Sequence, residues 1–283
     1  MKIIITGANG QLGLEIIKQL NNLNSKNKNY DIISTNRSNL DIVDLDNVNK
    51  FILKEMPDVI INCAAYTKVD LCECDIDNAY KINALGVRNL AIVSEKVKAK
   101  FVQISTDYVF DGNSNVPYKE DCITLPNSIY GKSKLMGEYF TRKFSSKYFI
   151  IRTAWLYGEG NNFVRTMINL AKHNDEINVV NDQFGSPTST VDLADVIIKL
   201  IETDYYGTYH GTCEGECSWY EFANKIFELS GMDVKVNPIK SDQFKRKAPR
   251  PMYSVLDNFM LKLVGLNSFN RWEESLKKFL NKK

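Results

Sequence analysis

Met1-Lys2-Ile3-Ile4-Ile5-Thr6-Gly7-Ala8-Asn9-Gly10-Gln11-Leu12-Gly13 opens the chain. Ile3-Ile4-Ile5 is apolar without alternation, the pattern of a strand buried on both faces. Glycines follow at 7, 10 and 13, and from Leu12 to Leu20 the apolar residues fall at helical spacing. Strand, glycine turn and helix in that order make a phosphate-binding unit. The glycines let the backbone turn tightly and approach a pyrophosphate, which the free N–H groups of the helix N-terminus then bind. The spacing is GxxGxxG rather than GxGxxG, so the strand before it and the helix after it carry the reading.

Beyond this unit, short apolar runs alternate with helical patterns. Strands are expected at Asp31–Thr35, Val59–Asn62, Phe101–Ser105 and Tyr148–Arg152. Helices are expected at Val48–Lys54, Asp77–Val97 and Ser133–Lys143. Apolar strands separated by helices predict a parallel sheet covered on both faces, and right-handed crossovers make it doubly wound. The fold class is therefore α/β, Rossmann-like, with ligands at the carboxyl ends of the strands. The last third has helices at Asn162–Lys172, Asp192–Glu202, Trp219–Leu229 and Trp272–Leu280, a short strand at Lys235-Val236, and loops rich in Gly, Pro, Asn and Asp. This predicts a smaller substrate-binding lobe at the sheet's carboxyl edge. Residues 1–155 with 180–205 are assigned to the dinucleotide-binding domain, and 156–179 with 206–283 to the lobe.

Composition narrows the function classes. The 283 residues carry 36 Lys+Arg and 34 Asp+Glu, a net charge of +2, with no basic footprint for nucleic acid or an acidic membrane. No apolar run approaches the roughly 20 residues of a membrane span. The Lys-rich tail, Lys277, Lys278, Lys282 and Lys283, reads as the solvated face and end of a last helix. The first strand begins at once, leaving no room for a signal peptide, so a cytoplasmic protein with reduced cysteines is expected. The six cysteines lack paired CxxC spacing and there are only two histidines, so no metal is expected.

The end of the second strand should meet the adenosine ribose. Thr35-Asn36-Arg37-Ser38 has no carboxylate there to hold a 2′-hydroxyl, whereas Arg37 can pair with a 2′-phosphate through its planar fork. NADPH is favoured over NADH. Asp41 and Ile42 are candidates for the adenine. Cys63-Ala64-Ala65-Tyr66, after the third strand, offers small side chains where the cofactor crosses the sheet edge.

Tyr130-Gly131-Lys132-Ser133-Lys134 puts Tyr130 and Lys134 at i and i+4 on one helix face. A lysine ammonium beside a phenol is expected to lower the phenol's pKa and ease proton transfer. Ser105-Thr106-Asp107 ends the fourth strand, where a hydroxyl can hydrogen-bond a substrate carbonyl. In the lobe, Arg250 stands in a stiff Pro249-Arg250-Pro251 loop and is the candidate diphosphate clamp.

These segments resemble the extended short-chain dehydrogenases/reductases and, within them, the dTDP-4-dehydrorhamnose reductase family. The resemblance rests on TGANGQLG (6–13), STDYVFDG (105–112), YGKSKLMGE (130–138), RTAWLYG (152–158), NNFVRTM (161–167), NDQFGSPT (181–188) and RPMYSVLD (250–257). It implies a Rossmann fold, bound NADPH or NADH, and reduction of the 4-keto group of a dTDP-linked 4-keto-6-deoxy sugar, dTDP-4-dehydro-L-rhamnose, to dTDP-L-rhamnose for cell-surface polysaccharide. It further implies that Tyr130 is the proton donor, that Lys134 holds the nicotinamide ribose, and that Thr106 is the catalytic hydroxyl. Asp107 and Trp155 become sugar contacts. Gly10, Gln11 and Leu12 become the pyrophosphate loop, within the turn set by Gly7 and Gly13, and Ala64 and Ala65 the ribose neighbourhood. Asn83 matches the helix asparagine, a water or backbone anchor.

Two positions depart from the pattern. Tyr66 replaces an expected histidine at a cofactor contact. Some relatives hold magnesium between subunits through glutamates; Glu15 matches one, but Val191 and Asp192 stand where another should be. A homodimer is compatible with the sequence. Two other readings remain open: a related nucleotide-sugar reductase or epimerase, and a non-catalytic NADP-binding subunit like that regulating methionine adenosyltransferase. Retention of Thr106, Tyr130 and Lys134 together argues against the second.

Overall fold

The computed structural model describes residues 1–281; Lys282 and Lys283 of the Lys-rich tail lie outside the described residues. The first half alternates as expected: β1 (Lys2–Thr6), α1 (Gln11–Asn24), β2 (Asp31–Ser34), α2 (Leu45–Glu55) and β3 (Val59–Asn62). A short α3 (Val69–Cys72) then precedes α4 (Ile76–Tyr80) and α5 (Val87–Lys96), followed by β4 (Lys100–Thr106), α6 (Ile129–Phe144) and β5 (Tyr148–Thr153). The predicted single helix over 77–97 is interrupted by a π-helical stretch, Lys81–Gly86. Such a stretch re-aims side chains within a helix, and here it carries Asn83.

Further on come β6 (Leu156–Tyr157), α7 (Phe163–Ala171), β7 (Glu176–Val180), β8 (Phe184–Gly185), β9 (Thr188–Ser189), α8 (Thr190–Ile201), β10 (Gly207–His210), β11 (Cys217–Ser218), α9 (Trp219–Ser230), β12 (Lys235–Ile239), α10 (Phe259–Leu263) and α11 (Trp272–Leu280). Six strands form one parallel sheet in the order β10-β5-β4-β3-β1-β2. The chain moves outward from β1 to β2, then returns to place β3 on the other side of β1. This strand-order reversal opens the ligand crevice at the carboxyl ends of β1 and β3.

One boundary shifts. Segment 206–283 was assigned to the lobe, yet β10 pairs with β5, Gly207 opposite Phe149 and His210 opposite Arg152. Gly-Thr-Tyr-His has no apolar run to announce a strand; it is an edge strand, paired on one side only.

Strand alternation divides the core. Ile3 and Ile5 face α1 and α8, packing with Leu12, Ile16, Leu193 and Ile197, and this core runs on into the lobe through Tyr157, Phe222 and Trp272. Ile4, Ile60 and Phe101 face the opposite side, against Val48, Ile52 and Leu90. Successive side chains of a strand point to opposite faces, so one apolar run feeds both cores. Helix starts are fixed locally. Asp44 Oδ1 accepts from the N–H groups of Asp46 and Asn47 at α2, and Ser128 Oγ accepts from Gly131 N–H at α6. Such caps satisfy helix donors that have no partner within the helix. In the lobe β7 and β12 pair in parallel, and α9 begins with a Ser218–Glu221 capping box. Among the described residues, no helix is long and apolar enough to cross a membrane.

Candidate active site

The turn after β1 is built as its glycines require. Gly7 stands at φ +63°, and a Cβ there would meet Ala64 N at 2.6 Å. A Cβ on Gly13 would meet the Gly7 carbonyl oxygen at 2.7 Å. Only glycine allows this approach of the loop to β3 and of α1 to the loop. Gly10 caps α1 with no side-chain hydrogen bond, which leaves the first N–H groups of a fourteen-residue helix free for an anion.

Two adjoining cavities meet at this turn. One, of about 290 Å³, is lined by Gly7, Gly10, Arg37, Asp41, Ile42 and Ala64. The other, of about 770 Å³, is lined by Gly10 to Gly13, Ala65, Thr106, Asp107, Tyr130, Lys134 and Trp155. They share Asn9, Gly10, Cys63, Ala64 and Ala65. A continuous groove thus runs over the strand ends from Arg37 to Trp155. Its residues fit a dinucleotide: a cationic fork at one end, free helix N–H groups in the middle, and a phenol–lysine pair at the other. Arg37 is 87% exposed, and its nearest charged partner is Asp41 at 3.9 Å, so its fork is free to meet a phosphate.

The phenol–lysine pair lies at the far end. Tyr130 sits in the first turn of α6, buried, its ring edge-on to Tyr108 at 5.4 Å between centroids. Helix α6 starts earlier than the Ser133 expected, at Ile129, because Ser128 caps it. Lys134 is one turn on and buried; its Nζ donates to the Ile104 carbonyl at 2.5 Å. Burial pulls Lys134 down to about 8, opposed chiefly by the negative charge of Glu138. The phenol behaves otherwise than its spacing from Lys134 suggested. Burial raises the Tyr130 pKa above its ordinary value, with a Thr106 hydrogen bond opposing. Desolvation penalises a phenolate more than the lysine, tied to a backbone carbonyl, relieves it. Tyr130 is therefore held protonated.

Thr106 and Asp107 follow at the end of β4. Thr106 Oγ1 donates to Asp107 Oδ1 at 2.8 Å and accepts from Tyr108 N–H at 3.2 Å. Asp107 Oδ2 is buried with no partner among the described residues. Burial pushes the Asp107 carboxyl up to about 6, against the Thr106 hydrogen bond. Thr153, opposite Thr106 in register on β5, also lines the cleft, and its buried hydroxyl has no partner among the described residues. Thr153 was not singled out from sequence, although it lies within RTAWLYG.

Three sequence-derived candidates sit elsewhere. Tyr66 lines neither cavity; its hydroxyl donates to Asp75 Oδ2 at 3.0 Å and its ring packs with Cys72, Ala79 and Tyr130. The hydroxyl bond to Asp75 and the backbone anchor from Asn83 hold its ring in the helix layer instead. Asn83 accepts from Tyr66 N–H at 2.8 Å and donates to its carbonyl at 3.1 Å, which is the backbone-anchor geometry. Arg250 does not line the cleft either. It lines a small separate cavity with Tyr108 and Asp111 and pairs with Asp70, Nη2 to Oδ2 at 2.8 Å. Asp70 lies 180 positions away in sequence, and no local pattern announced it as the partner. Burial works against its charge, yet the Ala248 N–H, Arg250 and Arg246 hold the Asp70 carboxyl below the usual range.

Comparison with known proteins covers the chain from end to end. A family model described as "RmlD substrate binding domain" matches residues 1–283. The chain is 42% identical to the spore coat polysaccharide biosynthesis protein SpsK of Bacillus subtilis (strain 168), over 100% of this chain and 98% of the relative. Its fold superposes on the crystal structure of a dTDP-4-dehydrorhamnose reductase from Clostridium acetobutylicum ATCC 824, with a TM-score of 0.96 and 56% identity over 99% of each chain. A dTDP-4-dehydrorhamnose reductase from Bacillus anthracis str. Ames, crystallised in complex with NADP, gives a TM-score of 0.96 and 48% identity over 100% of this chain and 99% of that one. The glycine turn, the Tyr130–Lys134 pair and the full-length match leave one assignment: the chain belongs to the dTDP-4-dehydrorhamnose reductase family of the extended short-chain dehydrogenases/reductases.

Proposed function

We propose that this chain reduces the 4-keto group of dTDP-4-dehydro-L-rhamnose to dTDP-L-rhamnose with NADPH, NADH serving less well. The observation that carries the reading is the convergence of Thr106, Asp107, Tyr130, Lys134 and Trp155 on one cleft that continues into the Arg37 groove. It is supported by the 56%-identical relative, a dTDP-4-dehydrorhamnose reductase, and by the NADP bound in the 48%-identical one.

Bound NADPH supplies the hydride that becomes the C4 hydrogen of the sugar. Tyr130 donates its phenolic proton to the former carbonyl oxygen, a general-acid step for which a protonated phenol is needed. Thr106 is placed to hydrogen-bond the same oxygen and orient the carbonyl. Lys134 holds the nicotinamide ribose and favours the tyrosinate left after transfer, which water then reprotonates. Asp107, with an unpartnered buried oxygen, accepts from a sugar hydroxyl. Trp155 covers the sugar ring. Gly10 to Leu12 hold the pyrophosphate and Arg37 the 2′-phosphate.

The product serves cell-surface polysaccharide; a cytoplasmic setting and a homodimer belong to the same proposal. The decisive experiment is NADPH oxidation by the purified protein upon addition of dTDP-4-dehydro-L-rhamnose. Oxidation dependent on that sugar, with dTDP-L-rhamnose as product, supports the reading. NADPH binding with no sugar-dependent oxidation would return the chain to a non-catalytic role.

A further inference from the structure

Beneath the cleft floor lies a fully buried ion pair that the reaction as written does not use. Glu138, one helical turn after Lys134 on α6, is 0% exposed. Its Oε1 accepts from Arg152 Nε at 2.9 Å and its Oε2 from Arg152 Nη2 at 2.8 Å, a bidentate fork reaching from β5. The same Oε1 accepts from Ser105 Oγ at 2.6 Å, and Arg142 Nη1 reaches Oε2 at 3.2 Å. Arg152 is in turn seated over the Phe110 ring at 5.1 Å, with His210 Nε2 at 3.5 Å. His210 Nδ1 faces the carbonyls of Tyr118 and Asp257, so its proton sits on that side and Nε2 can accept from Arg152.

We propose that Glu138 is a positioning residue for the reduction: its carboxylate ties the helix carrying Tyr130 and Lys134 to Ser105, the neighbour of Thr106, and gives Lys134 a buried counter-charge. This rests on the function proposed above. Two charges taken out of water are expensive, and replacing such a pair with apolar residues is often neutral or stabilising. Stability alone is therefore a weak reason for this arrangement. Its location supplies a better one. Ile104 carbonyl receives Lys134 Nζ, Ser105 hydroxyl binds Glu138, and Thr106 hydroxyl points into the cleft, so three successive residues of β4 are each engaged with the catalytic machinery. Thr106 can hold its hydroxyl steady only if the strand end does not slide against α6. A displacement of about 1 Å at such a site costs on the order of 10²-fold in rate.

The electrostatic part concerns Lys134. The groups facing it are Tyr130 and Glu138 on its own helix, Cys63 after β3, and the Ile104 carbonyl, Thr106 and Asp107 at the end of β4; Arg152 on β5 faces Glu138 from behind. Burial works against the ammonium, and Glu138 is the first of the charges that restore it. A neutral amine could neither hold the ribose as firmly nor favour the tyrosinate.

The test compares Glu138→Gln, Glu138→Asp and Ser105→Ala with the unaltered protein. It follows NADPH affinity, and kcat and KM with dTDP-4-dehydro-L-rhamnose, across neutral to alkaline pH. In Glu138→Gln the alkaline midpoints of kcat and of NADPH binding should move down by about one pH unit, and kcat should fall at least ~10-fold. Glu138→Asp keeps the charge and should keep the midpoint, whatever it loses in kcat. Should Glu138→Gln fail to fold, Ser105→Ala decides: it removes one hydrogen bond without leaving a charge unpaired, and kcat should fall about 3- to 10-fold with KM unchanged. A folded Glu138→Gln with wild-type midpoints and kcat, or a Ser105→Ala with wild-type kcat, would overturn the proposal. An unaltered protein that never oxidises NADPH with this sugar refutes the proposed function instead; the midpoint of NADPH binding still reports on Glu138.

Discussion

Trp155 lies flat on Trp219, with 3.4 Å between ring centroids and 5° between planes, although its own backbone stands at φ +47°. A non-glycine residue in the left-handed region costs of order 1–3 kcal/mol and persists only when its surroundings enforce it. Here Gly185 packs closely against it: a Cβ there would come within 2.4 Å of Trp155 Cε2. The indole is thus held against Trp219 of α9 and Gly185 of β8 at the mouth of the cleft. Trp155→Ala should raise the KM for the sugar nucleotide by about 10-fold, the scale of one aromatic contact, and leave NADPH affinity unchanged. Gly185→Ala, which displaces the indole without removing it, should reproduce part of that rise. Unaltered sugar kinetics in both variants would mean that the stack serves packing alone.

Tyr130→Phe should keep NADPH affinity and lose turnover by about 10²-fold or more, the usual scale for a general acid. The ring still packs against Tyr108, so folding should be unaffected. Because burial raises the phenol's pKa, its proton stays in place through neutral pH, and loss of activity on the alkaline side should follow Lys134 first. Near wild-type kcat in the phenylalanine variant would remove Tyr130 from the mechanism.

How far these residues could be read from sequence depends on how local their partners are. The glycine turn, the strands of the first half and the Tyr130–Lys134 pair were legible because their causes lie within a few residues. Arg250 and Tyr66 were not, because an ion pair with Asp70 and a hydroxyl bond to Asp75 decided where they went. The π-helical stretch at Lys81–Gly86 leaves no mark on apolar spacing. Glu138 and Arg152 stood in plain view inside YGKSKLMGE and RTAWLYG, but only the register of β4 against β5, Ser105 opposite Arg152, brings them together.

Under the proposed function, cofactor choice should rest on Arg37. Its exposed fork should pair with the 2′-phosphate, so NADPH should have the higher kcat/KM, and Arg37→Ala should narrow the NADPH/NADH ratio by about 10-fold. That is the lower end of the range for a charged hydrogen bond, as fits a group open to solvent. An unaltered protein preferring NADH would contradict the assignment.

Arg250 gives a sharper choice now that its partner is known. If the sugar nucleotide's diphosphate draws Arg250 away from Asp70, Arg250→Ala should raise the sugar-nucleotide KM several-fold with NADPH affinity unchanged. Arg250→Lys should restore only part, because a point charge lacks the bidentate fork. If the pairing with Asp70 is its whole role, Arg250→Ala should instead lower thermal stability and leave the sugar kinetics alone.

Asp107 links stability to pH. Burial pushes its carboxyl up to about 6, above the roughly 3.9 of an unfolded aspartate. Between those values the folded protein binds the proton that the unfolded chain gives up, so this group's contribution to stability falls as pH rises from about 4 to about 6 and is constant above. At neutral pH the ionised Asp107 therefore costs on the order of 2–4 kcal/mol, about two pKa units at 1.36 kcal/mol each. Asp107→Asn removes that cost. It should raise the thermal midpoint at pH 7, flatten the rise in stability on acidification toward pH 4, and raise the sugar KM, because an amide nitrogen cannot accept from a sugar hydroxyl. A variant that is less stable at pH 7, or that keeps full sugar affinity, would show that the buried carboxylate is paired in a way its Oδ2 position does not suggest.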